Sequence, residues 1–222
     1  MKLALAILKK DMEIEFRSKE SIISMWIFSL LIFVIFNFTF ETSRLLMLQI
    51  APGLLWVSFI FSGMLGLNRA FLLEKENGNL KSMALMPVDS GVIYVGKFLS
   101  TTLFMLIFEI LILPFFIVFY DIPLSAVMMY LPLILLVGSI GFTSLGTILS
   151  AISVHTRDNQ ILLSLLLWPL ITPIIIWVVK ITGDVIEGEL SSSFFPILIR
   201  ITLFDIIFLT ISYLLFEFVL QD

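Results

Sequence analysis

The most informative polar stretch of the chain is the 24-residue segment 68–91, which lies between two long apolar runs. Its first part is charged and helix-forming, and Asn77-Gly78 then ends that helix because Gly readily adopts the left-handed conformation of a helix C-terminus. A short helix with an apolar face follows, and Pro87 stops it. Such a helix can dock into a groove on a soluble partner, and the alternative interpretation is an ordinary interfacial loop. The predicted docking residues are Leu80, Met83 and Leu85 as buried anchors, with Glu74 and Glu76 as charged contacts at the rim and Gly78 and Pro87 as the residues that bound the helix.

Three charged residues, Glu109, Arg200 and Asp205, lie inside otherwise apolar runs. At a rise of about 1.5 Å per residue, Glu109 and Asp205 lie roughly 12–15 Å below the same membrane surface if both runs are membrane helices. Ionisable groups at that depth are costly, so they usually pair or face a cavity. We expect Arg200 to neutralise one of the two carboxylates in an ion pair that holds helices together. The polar lining of an outer cavity and a proton relay are the alternatives.

The elements that position these residues are six apolar stretches, which make up most of the 222 residues. The chain is 60% hydrophobic and 14% charged, and its mean hydropathy is +1.14. A helix needs about 20 apolar residues to cross a bilayer, and the run Leu30–Phe36 lacks the alternating polarity of a barrel strand. The sequence therefore predicts a single all-α transmembrane domain over residues 1–222. The predicted spans are about 21–40, 48–67, 92–119, 126–152, 161–179 and 197–219.

The segment 1–20 predicts an amphipathic helix that lies on the inner membrane surface before the first span. Leu5, Leu8, Met12 and Phe16 follow each other at spacings of three and four residues, with charged residues between them. This spacing places an apolar face along about four helical turns. A polar tail before the first span is the alternative.

The distribution of basic residues predicts the orientation in the membrane. Ten of the 13 Lys and Arg residues fall on one side of the six spans and three on the other, and the basic side is normally cytoplasmic. Both termini are therefore expected in the cytoplasm, with no cleavable signal peptide. No stretch outside the spans is long enough for a soluble domain, so we expect a subunit that is not an enzyme. The absence of Cys excludes disulfides and thiolate metal sites on this subunit.

Small residues recur along two of the predicted spans. Ser58, Ser62 and Gly66 lie on one face of span two, and Gly, Ser and Thr residues crowd span four between Gly138 and Thr147. Small side chains let helix backbones approach closely in lipid, which favours packing inside one subunit over a dimer seam or a substrate path. Span five is interrupted by two prolines within Leu-Trp-Pro-Leu-Ile-Thr-Pro, which predicts kinks.

Two sets of residues resemble a known class of membrane protein. The pattern Glu74-x-Glu76-x-Gly78-x-Leu80 followed by Leu85-x-Pro87 resembles the coupling segment of ABC-2 type exporter permeases. The run Ile-Ala-Pro-Gly-Leu-Leu-Trp-Val at 50–57, Lys97 at the start of span three and the two-proline span resemble the cytochrome c maturation protein B (CcmB) family. That family supplies the permease subunits of the haem exporter ABC complex. The resemblance covers essentially the whole chain, and the run at 50–57 is its specific part.

The resemblance implies a multi-pass permease of the bacterial inner membrane with a type V exporter-like fold. It implies two copies working with a separate ABC ATPase, a haem-handling membrane protein, a small single-span subunit and a haem chaperone. ATP hydrolysis on the partner would then drive release of the haem-loaded periplasmic chaperone. The alternatives are an ABC-2 exporter of a drug, lipid or polysaccharide, a secondary transporter, and an assembly subunit whose spans pass no solute. Membrane lipid is the remaining expected partner, and no nucleic acid is expected.

A stable haem site needs axial ligands to the iron, which are usually His, Met, Cys or Tyr. The chain has one His, His155, in the turn that follows span four, and its ten Met residues lie mostly within spans. We interpret His155 as a surface residue, with a transient haem ligand as the alternative. The expectation is therefore that this chain binds no cofactor or metal stably, with ATP on the partner ATPase and haem handled by partner subunits.

Overall fold

The computed structural model describes residues 2–40, 44–76, 89–153 and 159–221. Within these ranges the regular elements are all helices, and six of them are long and apolar enough to cross a membrane. The helices are α1 (Lys2–Ser18), α2 (Glu20–Phe40), α3 (Arg44–Glu76), α4 (Ser90–Phe119), α5 (Leu131–Ser153), α6 (Asn159–Glu187) and α7 (Phe194–Gln221), with a short 3-10 helix at Ala126–Tyr130 before α5. The prediction of an all-α membrane fold with a helix before the first span is confirmed.

The N-terminal helix α1 packs along the first half of α4. Ala4 of α1 is buried, and Ile7 packs against the surface of Gly96, where a Cβ atom would lie 3.0 Å from the Ile7 side chain. Leu5 and Phe16 of the predicted apolar face are instead about half exposed, at 57% and 46%. Some apolar residues of α1 therefore pack against α4, and others lie on the exposed side of α1. We call the end of the bundle where α1 meets α4 the α1 end, and the opposite end the far end.

Helix α5 lies at the centre of the six spans, and its small residues are where neighbouring helices approach it. A Cβ atom at Gly138 would lie 2.1 Å from the Trp56 ring of α3, and one at Gly146 would lie 2.4 Å from Leu67 of the same helix. A Cβ at Gly141 would lie 2.5 Å from Asp205 of α7. Glycine permits this close approach, because a Cβ atom at any of these positions would displace the neighbouring side chain. The prediction that these small residues serve packing inside one subunit is confirmed.

The first two spans are joined by a polar contact inside the apolar core. Ser29 of α2 and Ser62 of α3 are both fully buried, and their Oγ atoms lie 2.8 Å apart. Ser62 also donates to the backbone carbonyl of Met25 at 3.2 Å. In a low-dielectric environment such a hydrogen bond holds two helices in register. Helix α6 continues from Asn159 to Glu187 through both of its prolines.

Candidate functional site

The predicted docking residues divide between described and undescribed parts of the chain. Glu74 and Glu76 lie in the last turns of α3. Gly78, Leu80, Met83, Leu85 and Pro87 lie outside the described residues, so their role as contacts of a partner stays a prediction. What the structure does describe is the two helices that leave and re-enter the bundle on either side of residues 77–88.

The start of α4 is held by a cap and by a contact with the last helix. Asp89 is the N-cap residue, and its Oδ1 accepts a hydrogen bond from the backbone N–H of Gly91 at 2.9 Å. Its second oxygen, Oδ2, accepts from the hydroxyl of Tyr213 on α7 at 3.0 Å. An N-cap of this kind satisfies a helix N–H group that has no partner within the helix. The sequence signal for it was an Asp directly before an apolar helical run, and the partner on α7 had no signal at all.

Lys97, which the family resemblance includes at the start of span three, lies in the first half of α4. The structure buries it, at 2% exposure, and pairs its Nζ with Asp11 Oδ2 of α1 at 3.0 Å. Ser100 donates to the same carboxylate oxygen at 3.0 Å, and Lys10 of α1 lies 3.3 Å from its Oδ1. Lys97 therefore anchors α4 to α1. We call Asp11, Lys97 and Ser100 the α1–α4 clamp.

Glu109 lies in a polar seam between α4 and α5. Its side chain is fully buried, and the hydroxyl of Ser139 donates to its two carboxylate oxygens at 2.7 and 2.8 Å. About two turns along α4, the hydroxyls of Thr102 and Thr143 lie 2.6 Å apart. Thr143 also donates to the carbonyl of Ser139 at 2.7 Å. Buried polar groups in a membrane helix bundle need partners on neighbouring helices, and the seam supplies Glu109 with one hydroxyl donor, which is shared between its two oxygens.

Asp205 of α7 approaches α5 from the other side. It is 4% exposed, and its Oδ1 has no hydrogen-bond partner among the described residues and lies against Gly141. Ser139 and Gly141 are two residues apart on α5, which places them about 200° apart around the helix. Glu109 and Asp205 are therefore at similar depth but on opposite sides of α5.

The predicted pairing of Arg200 with one of these carboxylates is wrong. Arg200 is exposed, and no ion pair joins it to Glu109 or Asp205 within the described ranges. The physical reason is helical geometry, because five residues separate Arg200 from Asp205 on α7 and turn the two side chains about 140° apart. The polar contact of Glu109 is instead the hydroxyl of Ser139, one of the small residues of α5.

The run 50–57 contributes to the packing of three helices. Trp56 of α3 is 2% exposed and donates from its indole Nε1 to the Thr182 hydroxyl of α6 at 2.9 Å. Its ring lies over Gly138 of α5, and Pro52 lies 3.7 Å from the position of a Cβ at Gly183 of α6. A buried indole needs a hydrogen-bond partner for its N–H. The most specific part of the family resemblance thus corresponds to a contact between α3, α5 and α6.

The only His of the sequence and the arrangement of acidic side chains bear on metal binding. His155 lies outside the described residues. Across the ranges 2–40, 44–76, 89–153 and 159–221, no group of three His, Cys, Asp or Glu side chains is arranged to hold a metal ion.

Comparison with known proteins places the chain in a family. A family model described as "CcmB protein" matches residues 2–214. Three curated relatives, each called "Heme exporter protein B", match over most of their length. The Pseudomonas aeruginosa protein is 25% identical over 170 residues, which is 77% of this chain and 76% of the relative. The Rhodobacter capsulatus protein is 27% identical over 183 residues, 82% of this chain and 84% of the relative. The Haemophilus influenzae protein is 27% identical over 185 residues, 78% of each chain. The matched residues take in α1 and nearly all of the six spans, so the chain belongs to the CcmB protein family.

Proposed function

We propose that this chain is the permease subunit of an ABC transporter that serves cytochrome c maturation, coupling ATP hydrolysis on a separate ATPase to haem delivery. The observation that carries the proposal is the family match over residues 2–214, with relatives that are called heme exporter proteins. The six membrane-capable helices fit a multi-pass protein of the bacterial inner membrane. Release of the haem-loaded periplasmic chaperone is the step that ATP hydrolysis would drive.

The ATPase acts from a partner chain in this proposal. Seven helices and the 3-10 helix take up nearly all of the described residues, and the family match to relatives called heme exporter proteins supports a membrane subunit that works with a separate ATPase. The segment 77–88, with Glu74 and Glu76 at the end of α3, is the contact that receives the motion of the ATPase. The distribution of Lys and Arg supports a cytoplasmic position for this segment and for both termini.

The contacts on either side of the segment support a mechanical role. Helix α3 is joined to α2 through Ser29 and Ser62, and α4 is joined to α1 through the α1–α4 clamp. A force that moves α3 relative to α4 would therefore also act on α2 and α1, because each of the two helices is bonded to one of these neighbours.

Haem is the cargo of the complex in this proposal, and partner subunits handle it. Those partners are a haem-handling membrane protein, a small single-span subunit and the haem chaperone, with two copies of this chain per complex. The role of this chain is to transmit the conformational change of the ATPase to those subunits.

Co-purification tests the coupling. We expect the ATPase to stay bound to the tagged wild-type chain and to be lost from Leu80→Asp, because an ionised carboxylate on an apolar anchor cannot be buried at an interface without a partner. The matched control is Leu190→Asp, which makes the same change at an exposed position beyond the end of α6 and should keep the ATPase bound.

Haem staining of c-type cytochromes tests the substrate. Deleting the gene should abolish holo-cytochrome c, and restoring the wild-type chain should recover it. An ATPase that binds the chain while cytochromes stay at their normal level would favour export of another substrate. A chain that purifies without any ATPase would overturn the ABC assignment.

A further inference from the structure

The first turn of α4 lies directly after the segment that the proposed function assigns to the ATPase contact, and it is joined to the last helix. Tyr213 of α7 donates its hydroxyl to Asp89 Oδ2 at 3.0 Å. Its ring lies on Gly91, where a Cβ atom would be 2.4 Å from two ring carbons. Any other residue at position 91 would push the ring away, so glycine permits the close approach of the two helices. We call Asp89, Gly91 and Tyr213 the α4–α7 latch.

The contact continues into the buried core one turn farther along α4. Tyr94 is fully buried, and the centroid of its ring lies 5.4 Å from that of Phe216 on α7. Phe216 is 1% exposed. The hydroxyl of Tyr94 donates to the carbonyl of Ser144 on α5 at 3.0 Å. The latch is therefore the outermost part of a continuous contact between α4, α7 and α5.

The latch and the α1–α4 clamp act at different places on α4. The clamp joins α1 to Lys97 and Ser100, whereas the latch joins α7 to the residues that first follow segment 77–88. Helix α7 carries Asp205, whose carboxylate lies against Gly141 of the central helix. A displacement of the first turn of α4 can therefore act directly on α7 through the hydrogen bond between Tyr213 and Asp89.

We propose that Tyr213 is a positioning residue that makes α7 follow the first turn of α4, so that motion delivered at segment 77–88 reaches the last span. The proposal rests on the proposed function, since it assumes that the ATPase moves this segment. The hydroxyl of Tyr213 is the group that ties the two helices, and its ring supplies the packing surface.

Distances between spin labels in the complex with its ATPase, in lipid, test this directly. The chain has no Cys, so two introduced cysteines give one label each. The test pair is Ser90→Cys with Leu214→Cys, which spans the latch. The reference pair is Ser90→Cys with Ile152→Cys, which measures motion of α4 relative to the end of α5.

We expect ATP trapped with vanadate to change the reference distance and leave the test distance unchanged in the parent protein. Tyr213→Phe removes the hydroxyl and keeps the ring, so the test distance should then also change with nucleotide. ATP hydrolysis should stay near the parent rate while holo-cytochrome c formed per ATP falls several-fold. The matched control is Tyr120→Phe, which removes a tyrosine hydroxyl that donates to the Phe33 carbonyl at the far end and should alter neither readout.

A second variant separates the latch from folding. Asp89→Ser keeps a hydroxyl that can cap the N–H of Gly91 but is too short to reach Tyr213, so it should reproduce the effect of Tyr213→Phe. The proposal is overturned if the test distance changes with nucleotide in the parent, or if both variants keep the parent distance and the parent yield per ATP. If neither pair moves in the parent although the ATPase is bound and active, the proposed function itself fails along with the latch.

Discussion

Lys97 shows how a charged side chain is accommodated beside the membrane in this protein. The ammonium is 2% exposed, and it is compensated by Asp11, which also accepts from Ser100. Removing one partner of a buried ion pair leaves the other charge uncompensated, and this costs more than the intact pair contributes. The clamp is therefore a point where a single substitution has a measurable effect on stability.

We predict that Lys97→Met lowers the free energy of unfolding by roughly 2 kcal/mol, less than a full buried pair would cost because Lys10 still lies near Asp11. The measurement is thermal or denaturant unfolding of the purified chain in detergent. The control is Lys9→Met, which breaks the pair with Glu13, where both side chains are more than two-thirds exposed, and should change stability little. Equal losses for the two variants would contradict the assignment of the clamp.

The partners of individual charged side chains were the part of the site that the sequence predicted least well. Glu109 and Asp205 were recognised as charges inside spans, but the partner expected for them was Arg200. The actual partner of Glu109 is the hydroxyl of Ser139, and sequence alone cannot identify it because nothing local tells which neighbouring helix presents a donor at the same depth.

Among the elements, α5 determines how closely the other helices pack. Its glycines meet Trp56 and Leu67 of α3 on one side and Asp205 of α7 on another. Because lipid tails are as apolar as the helix surfaces, close backbone approach is a main source of helix association in a membrane. A methyl group added at one of these glycines should therefore push α5 away from the helix that it faces.

We predict that Gly138→Ala lowers the free energy of unfolding by about 1–3 kcal/mol, because its methyl group would overlap the Trp56 ring. It should also increase exposure of the Trp56 indole, seen as a shift in tryptophan fluorescence. Gly183→Ala is the matched control, since its methyl group would meet only Pro52 at 3.7 Å, and it should be neutral or slightly stabilising. A neutral Gly138→Ala would mean that α3 and α5 are not packed as described.

For the molecule as a whole, orientation in the membrane determines whether segment 77–88 can meet a cytoplasmic ATPase. The basic residues assign the α1 end to the cytoplasm, and that assignment is a prediction from the sequence. It is testable at single positions because the chain has no Cys, so the parent provides an unreactive background.

We predict that Glu189→Cys, at an exposed position between α6 and α7, reacts with a membrane-impermeant thiol reagent added to intact cells. Lys9→Cys, on an exposed face of α1, should react only after the membrane is permeabilised. The measurement is the mass shift of the labelled chain on a gel. The reverse pattern would place the α1 end outside and rule out the proposed coupling.

The sequence by itself determined the class of protein, the number of spans and the helix before them. These follow from the length and polarity of local segments, because a bilayer requires long apolar helices whatever their neighbours are. Only the tertiary structure decided that Asp11 compensates Lys97, that Ser139 rather than Arg200 contacts Glu109, and that Tyr213 hydrogen-bonds to the residue that caps α4. Such contacts depend on which helix faces meet at a given depth, and helices with similar apolar surfaces carry no local signal for that choice.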